Sequence, residues 1–230
     1  VCFFIADDYR VYFDVFIRNT KLKSSIKNKQ VHVKVTNWNC NNKNPEGEVV
    51  EILGDINDLD VAINSILIDG GFANKFNSKI EKAAAGISKK ISSSEIKSRL
   101  DLRRTPTFTI DPNDAKDFDD AISVQKLTNN NLEIGVHIAD VGHYIKKDDI
   151  IDKEALKRGT SVYLVDRVIP MLPEVLSNDL CSLKPKVDRL CFSVIFEINN
   201  KAEILDYKIS KSIIHSNKRF TYKEAQDNID

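Results

Sequence analysis

A chain of 230 residues and 26.1 kDa holds one large domain or two small ones. Its 42% hydrophobic and 30% charged residues, with eight Gly and six Pro, are a globular composition and exclude collagen-like, disordered and low-complexity chains. Thirty-four basic side chains balance 34 acidic ones, so a nucleic-acid partner would have to be read from local patches rather than net charge.

No apolar run approaches the ~18–20 residues of a membrane span. Cys2, Cys40, Cys181 and Cys191 form no C-x-x-C pair, which points to reduced thiols in a cytoplasmic protein. Val1–Ile5 is followed at once by Asp7 and Asp8, unlike a signal peptide. Val1 reads as mid-strand and Asp230 falls inside a helical pattern, so the chain is expected to be a piece of something longer.

In chain order, Tyr9–Ile17, Gln30–Trp38 and Glu48–Gly54 read as strands. Within the second, Val31, Val33 and Val35 face one way, and Gln30, His32 and Lys34 the other. Their spacing predicts a small oligonucleotide-binding barrel over 1–56, incomplete at its N-terminus. Residues 57–104 then read as a helical connector. Asn57–Asp60 caps one helix that ends at Asp69-Gly70-Gly71, Lys79–Ala85 forms another, and Ser92–Glu95 caps a third. This stretch is basic: residues 61–105 carry nine basic and four acidic side chains.

From 105 to 230 strands and helices mix, so the fold class expected overall is α+β. Thr107–Ile110, Ala121–Leu127 and Leu132–Asp140 read as strands, the last two turning at Thr128–Asn131. Pairing about Asn130 sets Asp120 across from Asp140 and gathers six aspartates at one sheet end. A helix at Asp152–Arg158 follows, then a short strand at Ser161–Leu164 and an extended stretch at Val168–Pro173. Leu190–Asn199 and Ala202–Ser210 form a last strand pair.

Five aspartates lie within Asp111–Asp120, at positions 111, 114, 117, 119 and 120. At ~4–5 Å and an effective dielectric near 20, each like-charge pair costs ~3–4 kcal/mol before screening. Packing alone gives no reason to gather them, although an exposed acidic turn is the plain alternative. A divalent cation removes the penalty, and oxygen ligands without His or Cys suit Mg²⁺ or Mn²⁺. A calcium loop does not fit, because neither Asp111 nor Asp117 as first ligand places Gly at position six and Glu at position twelve.

The run Thr109–Ala121 resembles the signature of the ribonuclease II/ribonuclease R exoribonucleases. His137–Val141, Val168–Pro173 and Leu176–Leu183 resemble further motifs of that family in the same order. Lys43–Gly54 is similar to the cold-shock domain that precedes the RNB-type catalytic domain in the ribonuclease R branch. The resemblance implies hydrolysis of single-stranded RNA from its 3′ end to nucleoside 5′-monophosphates, with Mg²⁺ or Mn²⁺, by a protein that is a monomer at full length. Residue by residue it implies Asp111, Asp117 and Asp120 as metal ligands. Asp119, with Asp117, is the catalytic carboxylate that orients water, and Asp140 lies just behind the ligands. Tyr163 and Tyr222 are implied as RNA contacts.

Each has a plainer reading. Tyr163 fits a half-buried strand position, Tyr222 a helix-start core aromatic and Asp140 a structural turn. Phe13, Phe16 and Trp38 can stack on bases or fill a barrel core, and Arg10, Lys34 and Lys43 are few. The four histidines lack ligand spacing, and Cys181 and Cys191 pack as small hydrophobes. In the family the catalytic domain also contributes an arginine beyond the position matching 230, and a C-terminal barrel follows that domain. The 230 residues alone are therefore expected to bind RNA weakly and to cut it slowly, with Val194, Phe196, Ile204 and Ile209 partly uncovered. The alternative is a catalytically incomplete RNA-binding module.

Overall fold

The computed structural model describes residues 2–17, 28–38 and 44–230. Val1, Cys40 and Lys43, which the sequence reading uses, lie outside them. The chain divides into two compact units between Asn74 and Lys75.

In the first unit β1 (Cys2–Phe4), β2 (Val15–Ile17), β3 (Lys29–Asn37) and β4 (Glu46–Asp55) form one sheet in the order β1-β2-β4-β3. Among the described residues this sheet does not close into a barrel, in keeping with the incomplete barrel expected. Val31, Val33 and Val35 are half-buried while His32 and Lys34 are exposed, as a pleated strand with one covered face requires. The strand expected over 9–17 is shorter. Asp8 accepts hydrogen bonds from the backbone (2.9 Å) and guanidinium (2.6 Å) of Arg10, and Val11 N–H returns to the Asp8 carbonyl. Residues 8–11 are therefore a turn, and only Val15–Ile17 pairs.

Helix α1 (Leu59–Asp69) belongs to this unit, with Asp58 as its N-cap accepting from Asp60 N–H. It passes close to β4 at Gly54, where φ is +137° and an added Cβ would stand 2.7 Å from Val61. Val15, Ile17, Val61 and Leu67 are the buried apolar residues here.

The second unit opens with α2 (Ser78–Ala85) and α3 (Ser93–Lys97), capped by Asn77 and Ser92. Seven strands follow in one sheet: β5 (Leu100–Asp101), β6 (Thr107–Asp111), β7 (Asp120–Lys126), β8 (Leu132–Ala139), β11 (Asp188–Ile198), β12 (Ile204–His215) and β13 (Lys218–Thr221). Their order is β13-β6-β7-β8-β11-β12-β5, antiparallel except for the edge pairs β13–β6 and β12–β5. Between β8 and β11 lie α4 (Val141–Tyr144), α5 (Ile150–Arg158), the two-residue strands β9 (Val162–Tyr163) and β10 (Val168–Ile169), and a π-helical turn at Leu176–Leu180.

One face of this sheet is closed by a core in which Ile80 and Ala84 of α2 and Ile151 and Ala155 of α5 join Ala121, Ala139 and Cys191 of the strands. Leu176, Leu180 and Leu183 complete it from the π turn. The opposite face is apolar and open: Ile138 is 49%, Phe192 47% and Ile209 56% exposed. Ile204 is exposed too, while Val194 and Phe196 are half-buried. Helix α6 (Tyr222–Ile229) starts in a capping box between Thr221 and Glu224.

A hairpin of three loop residues joins β7 to β8. Leu127 N–H bonds the Asn131 carbonyl at 2.8 Å, and Asn130 takes φ +66°, the left-handed position that ends such a loop. This sets the register two residues from the one expected: Asp120 lies opposite Ile138, not Asp140.

Candidate carboxylate site

Strands β6 and β7 pair only at Thr107–Ser123 and Phe108–Ile122. Beyond Phe108 they part, and Asp111–Asp120 bridges the gap with its backbone bonded elsewhere. Leu183 N–H donates to the Phe118 carbonyl at 2.8 Å, and Ala139 N–H to the Asp119 carbonyl at 3.0 Å. The Ser182 hydroxyl accepts from Phe118 N–H at 3.1 Å and donates to the Lys116 carbonyl at 2.9 Å. Phe118 itself packs against the core.

Four of the six aspartates act on one another. Asp119 is pushed up to about 6, first by desolvation and then by the charges of Asp117, Asp120 and Asp111. Asp111 is buried and raised by that burial, with the nearby Thr109 hydroxyl and the charge of Arg219 offsetting part of it and Asp120 and Asp117 adding to it. Asp111 Oδ2 is buried without a hydrogen-bond partner, as are Thr109 Oγ1 and Arg219 Nε. These three residues adjoin, because β13 pairs Arg219 with Thr109 and Thr221 with Asp111. Arg219 also bonds the Pro112 carbonyl, and its guanidinium lies 5.5 Å from the Phe118 ring centroid.

The other two aspartates stand apart. Asp114 is exposed on its turn. Asp140 is buried and bound to Arg99, whose Nη2 donates to Oδ2 at 2.7 Å. Six converging aspartates are thus reduced to four, because the hairpin register and Arg99 carry Asp140 into a different network.

The donors are all hard carboxylate oxygens, one of them an orphan, which is the chemistry a divalent cation of the Mg²⁺ class satisfies. Among the described residues, however, no three His, Cys, Asp or Glu side chains stand together at metal-ligand spacing.

Asp117 and Asp119 edge a cavity of about 470 Å³ whose wall includes Ile138, Tyr163, Met171 and Cys181. The Tyr163 hydroxyl donates to Asp117 Oδ2 at 2.9 Å, which drives the phenol up to about 12 while leaving the ring 65% exposed. Tyr222 is 62% exposed and follows Thr221, the β13 residue paired with Asp111. Both tyrosines are therefore exposed rather than core aromatics, and Tyr163 touches a carboxylate. In the first unit Phe13 meets Trp38 edge-on at 5.5 Å, with Trp38 exposed, and Phe16 meets Phe3 at 5.7 Å.

The histidines are structural or peripheral. His32 is exposed, His215 contacts Asp188 at 2.7 Å and His143 stands 3.5 Å from Glu95. His137 is fully buried between Ser123 (2.8 Å) and Ser193 (2.7 Å). Cys181 and Cys191 are buried free thiols, and burial drives Cys181 up to about 12. Ser182 and Arg219 are residues the sequence reading passed over. Their only signal is that Ser182 sits inside the Leu176–Leu183 motif and Arg219 lies three residues before Tyr222.

The RNB domain model matches residues 99–230, more than half of the chain, and the cold shock domain model matches residues 3–77. The chain belongs to the RNB-domain family. Its RNB and cold-shock portions are 40% identical over 227 residues to Ribonuclease R of Thermotoga maritima, covering 98% of this chain and 32% of that protein. The chain thus spans about a third of that relative's length. RNase R of Mycoplasma genitalium, solved with double-stranded RNA, superposes with a TM-score of 0.89 at 29% identity over 98% of this chain and 40% of that one. Yeast Ssd1, described as a pseudonuclease, shares the fold with a TM-score of 0.78 at 21% identity over 99% of this chain and 30% of that one. Among the described residues no helix is long and apolar enough to cross a membrane.

Proposed function

We propose that the protein is a 3′→5′ exoribonuclease that hydrolyses single-stranded RNA to nucleoside 5′-monophosphates. The observation that carries this reading is that Asp111, Asp117 and Asp120 all act electrostatically on Asp119 at one sheet end, with Asp117 and Asp119 on a cavity edge and Asp111 Oδ2 left unpartnered. Asp111, Asp117 and Asp120 would hold Mg²⁺ or Mn²⁺. A bound cation supplies positive charge to the phosphate oxygens and acidifies the attacking water. Asp119, ionised, accepts a hydrogen bond from that water and orients it for in-line attack. Tyr163 offers its exposed ring to a base while its hydroxyl fixes Asp117, and Tyr222 meets the terminal nucleotide beside Asp111; stacking of this kind grips single strands without regard to sequence. In the cold-shock unit the exposed Trp38, with Phe13 against it, offers a further ring on which a base can stack. Asp140 acts only by fixing the backbone behind the site through Arg99. The protein works in the cytoplasm, as a monomer, with RNA as its partner.

The second reading is an RNA-binding module without cleavage. It draws on the lack of any carboxylate triplet at ligand spacing among the described residues. One experiment separates the two. The protein is incubated with Mg²⁺ or Mn²⁺ and a 5′-labelled oligonucleotide bearing a 3′-hydroxyl, beside Asp119→Asn. Slow stepwise shortening from the 3′ end with release of 5′-monophosphates is expected of these 230 residues. Asp119→Asn should lose roughly 10³-fold or more in rate, by analogy with losing one transition-state contact of this class, while RNA affinity holds or rises. Wild-type binding without cleavage selects the module, and an Asp119→Asn variant that cuts at the wild-type rate removes Asp119 from its role.

A further inference from the structure

Asp111 ends β6 and Asp120 begins β7, but Asp117 and Asp119 stand on the loop between them that the sheet does not hold, so something else must set their position. We infer that Ser182 is a positioning residue for this site, acting through the loop backbone; the inference rests on the nuclease reading above and names a residue that serves it. Ser182 is fully buried, and its hydroxyl contacts no carboxylate. It uses both of its capacities on the loop, accepting from Phe118 N–H at 3.1 Å and donating to the Lys116 carbonyl at 2.9 Å. Only a hydroxyl side chain of this size is donor and acceptor at one atom.

These two bonds bracket Asp117, and the peptide held at Phe118 leads directly into Asp119. The position of Ser182 therefore fixes where both carboxylates leave the backbone, relative to Asp111 at the end of β6 and Asp120 at the start of β7. The clamp has a rigid seat. Arg189, itself buried, donates from Nε to the Ser182 carbonyl at 2.8 Å and from Nη2 to Asp179 Oδ1 at 3.1 Å. Ser182 N–H bonds the Asp179 carbonyl at 3.1 Å, and Leu176, Leu180 and Leu183 anchor the surrounding turn in the core. A site built from mutually repelling groups needs such support, because repulsion alone would spread the loop before any cation arrives.

Ser182→Ala removes one oxygen and almost no volume, leaving a buried N–H and C=O unpaired. Ser182→Cys keeps the volume but is a weak donor and acceptor, so it separates packing from hydrogen bonding. Two readouts are taken on each variant and on wild type, with far-UV circular dichroism to show that the fold is kept. The first is amide hydrogen exchange at Phe118, Leu183 and Ala139 without metal; at least tenfold faster exchange is expected in both variants, with the amides of β11 and β12 unchanged. The second is Mn²⁺ binding followed by electron paramagnetic resonance, where affinity should fall about 10–100-fold, the usual cost of losing a group that orients metal ligands. RNA affinity in EDTA should stay within about twofold, which a general loss of structure would not allow.

Unchanged exchange at the three amides overturns the clamp, whatever the metal does. Faster exchange with Mn²⁺ affinity at the wild-type level overturns its service to the site. Wild-type protein that binds no Mn²⁺ overturns the metal reading, and with it that service, while exchange still decides the clamp. Should Ser182→Ala fail to fold, Ser182→Cys carries both readouts.

Discussion

Two polar clusters in the second unit share one sheet and are built on opposite rules. At the centre, His137 bridges Ser123 and Ser193, Ser193 contacts Ser212 at 2.5 Å, and Arg99 reaches the Ser212 and Cys191 carbonyls together with Asp140 and Glu95. Apart from the half-buried Glu95, its members are buried, of mixed character and partnered. Gly135 belongs to this cluster, since a Cβ there would stand 2.4 Å from Ser123 Oγ and 2.6 Å from the His137 ring. At the sheet end, four carboxylates of one sign face one another, and the adjoining Asp111, Thr109 and Arg219 each leave an atom unpaired. A satisfied buried network rigidifies a fold, whereas concentrated like charge costs stability and persists when it serves a ligand. The first cluster is the frame, and the second is the tool mounted on it.

The sharpest way to break that contrast is to unpair the frame. Burial works against charge on Arg99, yet its hydrogen bonds to Asp140 and Glu95 raise its pKa. Arg99→Met leaves Asp140 buried and uncompensated, which typically costs 3–5 kcal/mol, here about 4 kcal/mol. Urea unfolding followed by far-UV circular dichroism measures it. A loss under about 1 kcal/mol would mean that Asp140 finds water, and that the two clusters are not different in kind.

The two clusters also differ in how they can be read from sequence. The carboxylate site is written in ten consecutive residues, so a local motif with a family resemblance suffices to point at Asp111, Asp117, Asp119 and Asp120. The frame joins residues 99, 123, 137, 140, 193 and 212, and none of these is unusual beside its neighbours. Asp140 shows the limit: proximity in the motif order assigns it to the carboxylates, while a three-residue turn at Asn130 and a distant Arg99 take it elsewhere. Ser182 and Arg219 were hidden for the same reason, since they hold the loop from 64 to 107 residues away. The strands were legible where they alternate, as in β3, and misjudged where a side-chain turn such as Asp8–Arg10 competes with pairing.

Acid separates the clusters by sign. His137 is lowered to about 4 by burial, against about 6.5 for an exposed imidazole. The unfolded chain therefore binds the proton more tightly, so this contribution is whole above pH ~6.5 and is lost as pH falls toward 4, by about 3 kcal/mol in all. Asp119 has the opposite sign: raised to about 6, it takes a proton more readily when folded, so folding gains as pH falls from about 6 toward 4. Measuring stability in an Asp119→Asn background isolates the histidine. A flat profile between pH 6.5 and 4.5 there would show that the frame admits the charged imidazole.

The smallest effect tests the tool itself. If the carboxylates are gathered against their own repulsion, removing one charge should stabilise the metal-free protein even as it destroys the site. Asp119 opens to solvent, so screening reduces what its raised pKa would otherwise imply. Asp119→Asn is expected to gain about 1 kcal/mol at pH 7 in EDTA. The gain should fade toward pH 4, where wild-type Asp119 is protonated and the variant has no charge left to remove. Saturating Mn²⁺ should reverse the order, because a cation held by the folded state stabilises only the chain that can bind it. Equal or lower stability of the variant in EDTA would mean that the loop carries no electrostatic strain, and that its aspartates are merely an exposed acidic turn.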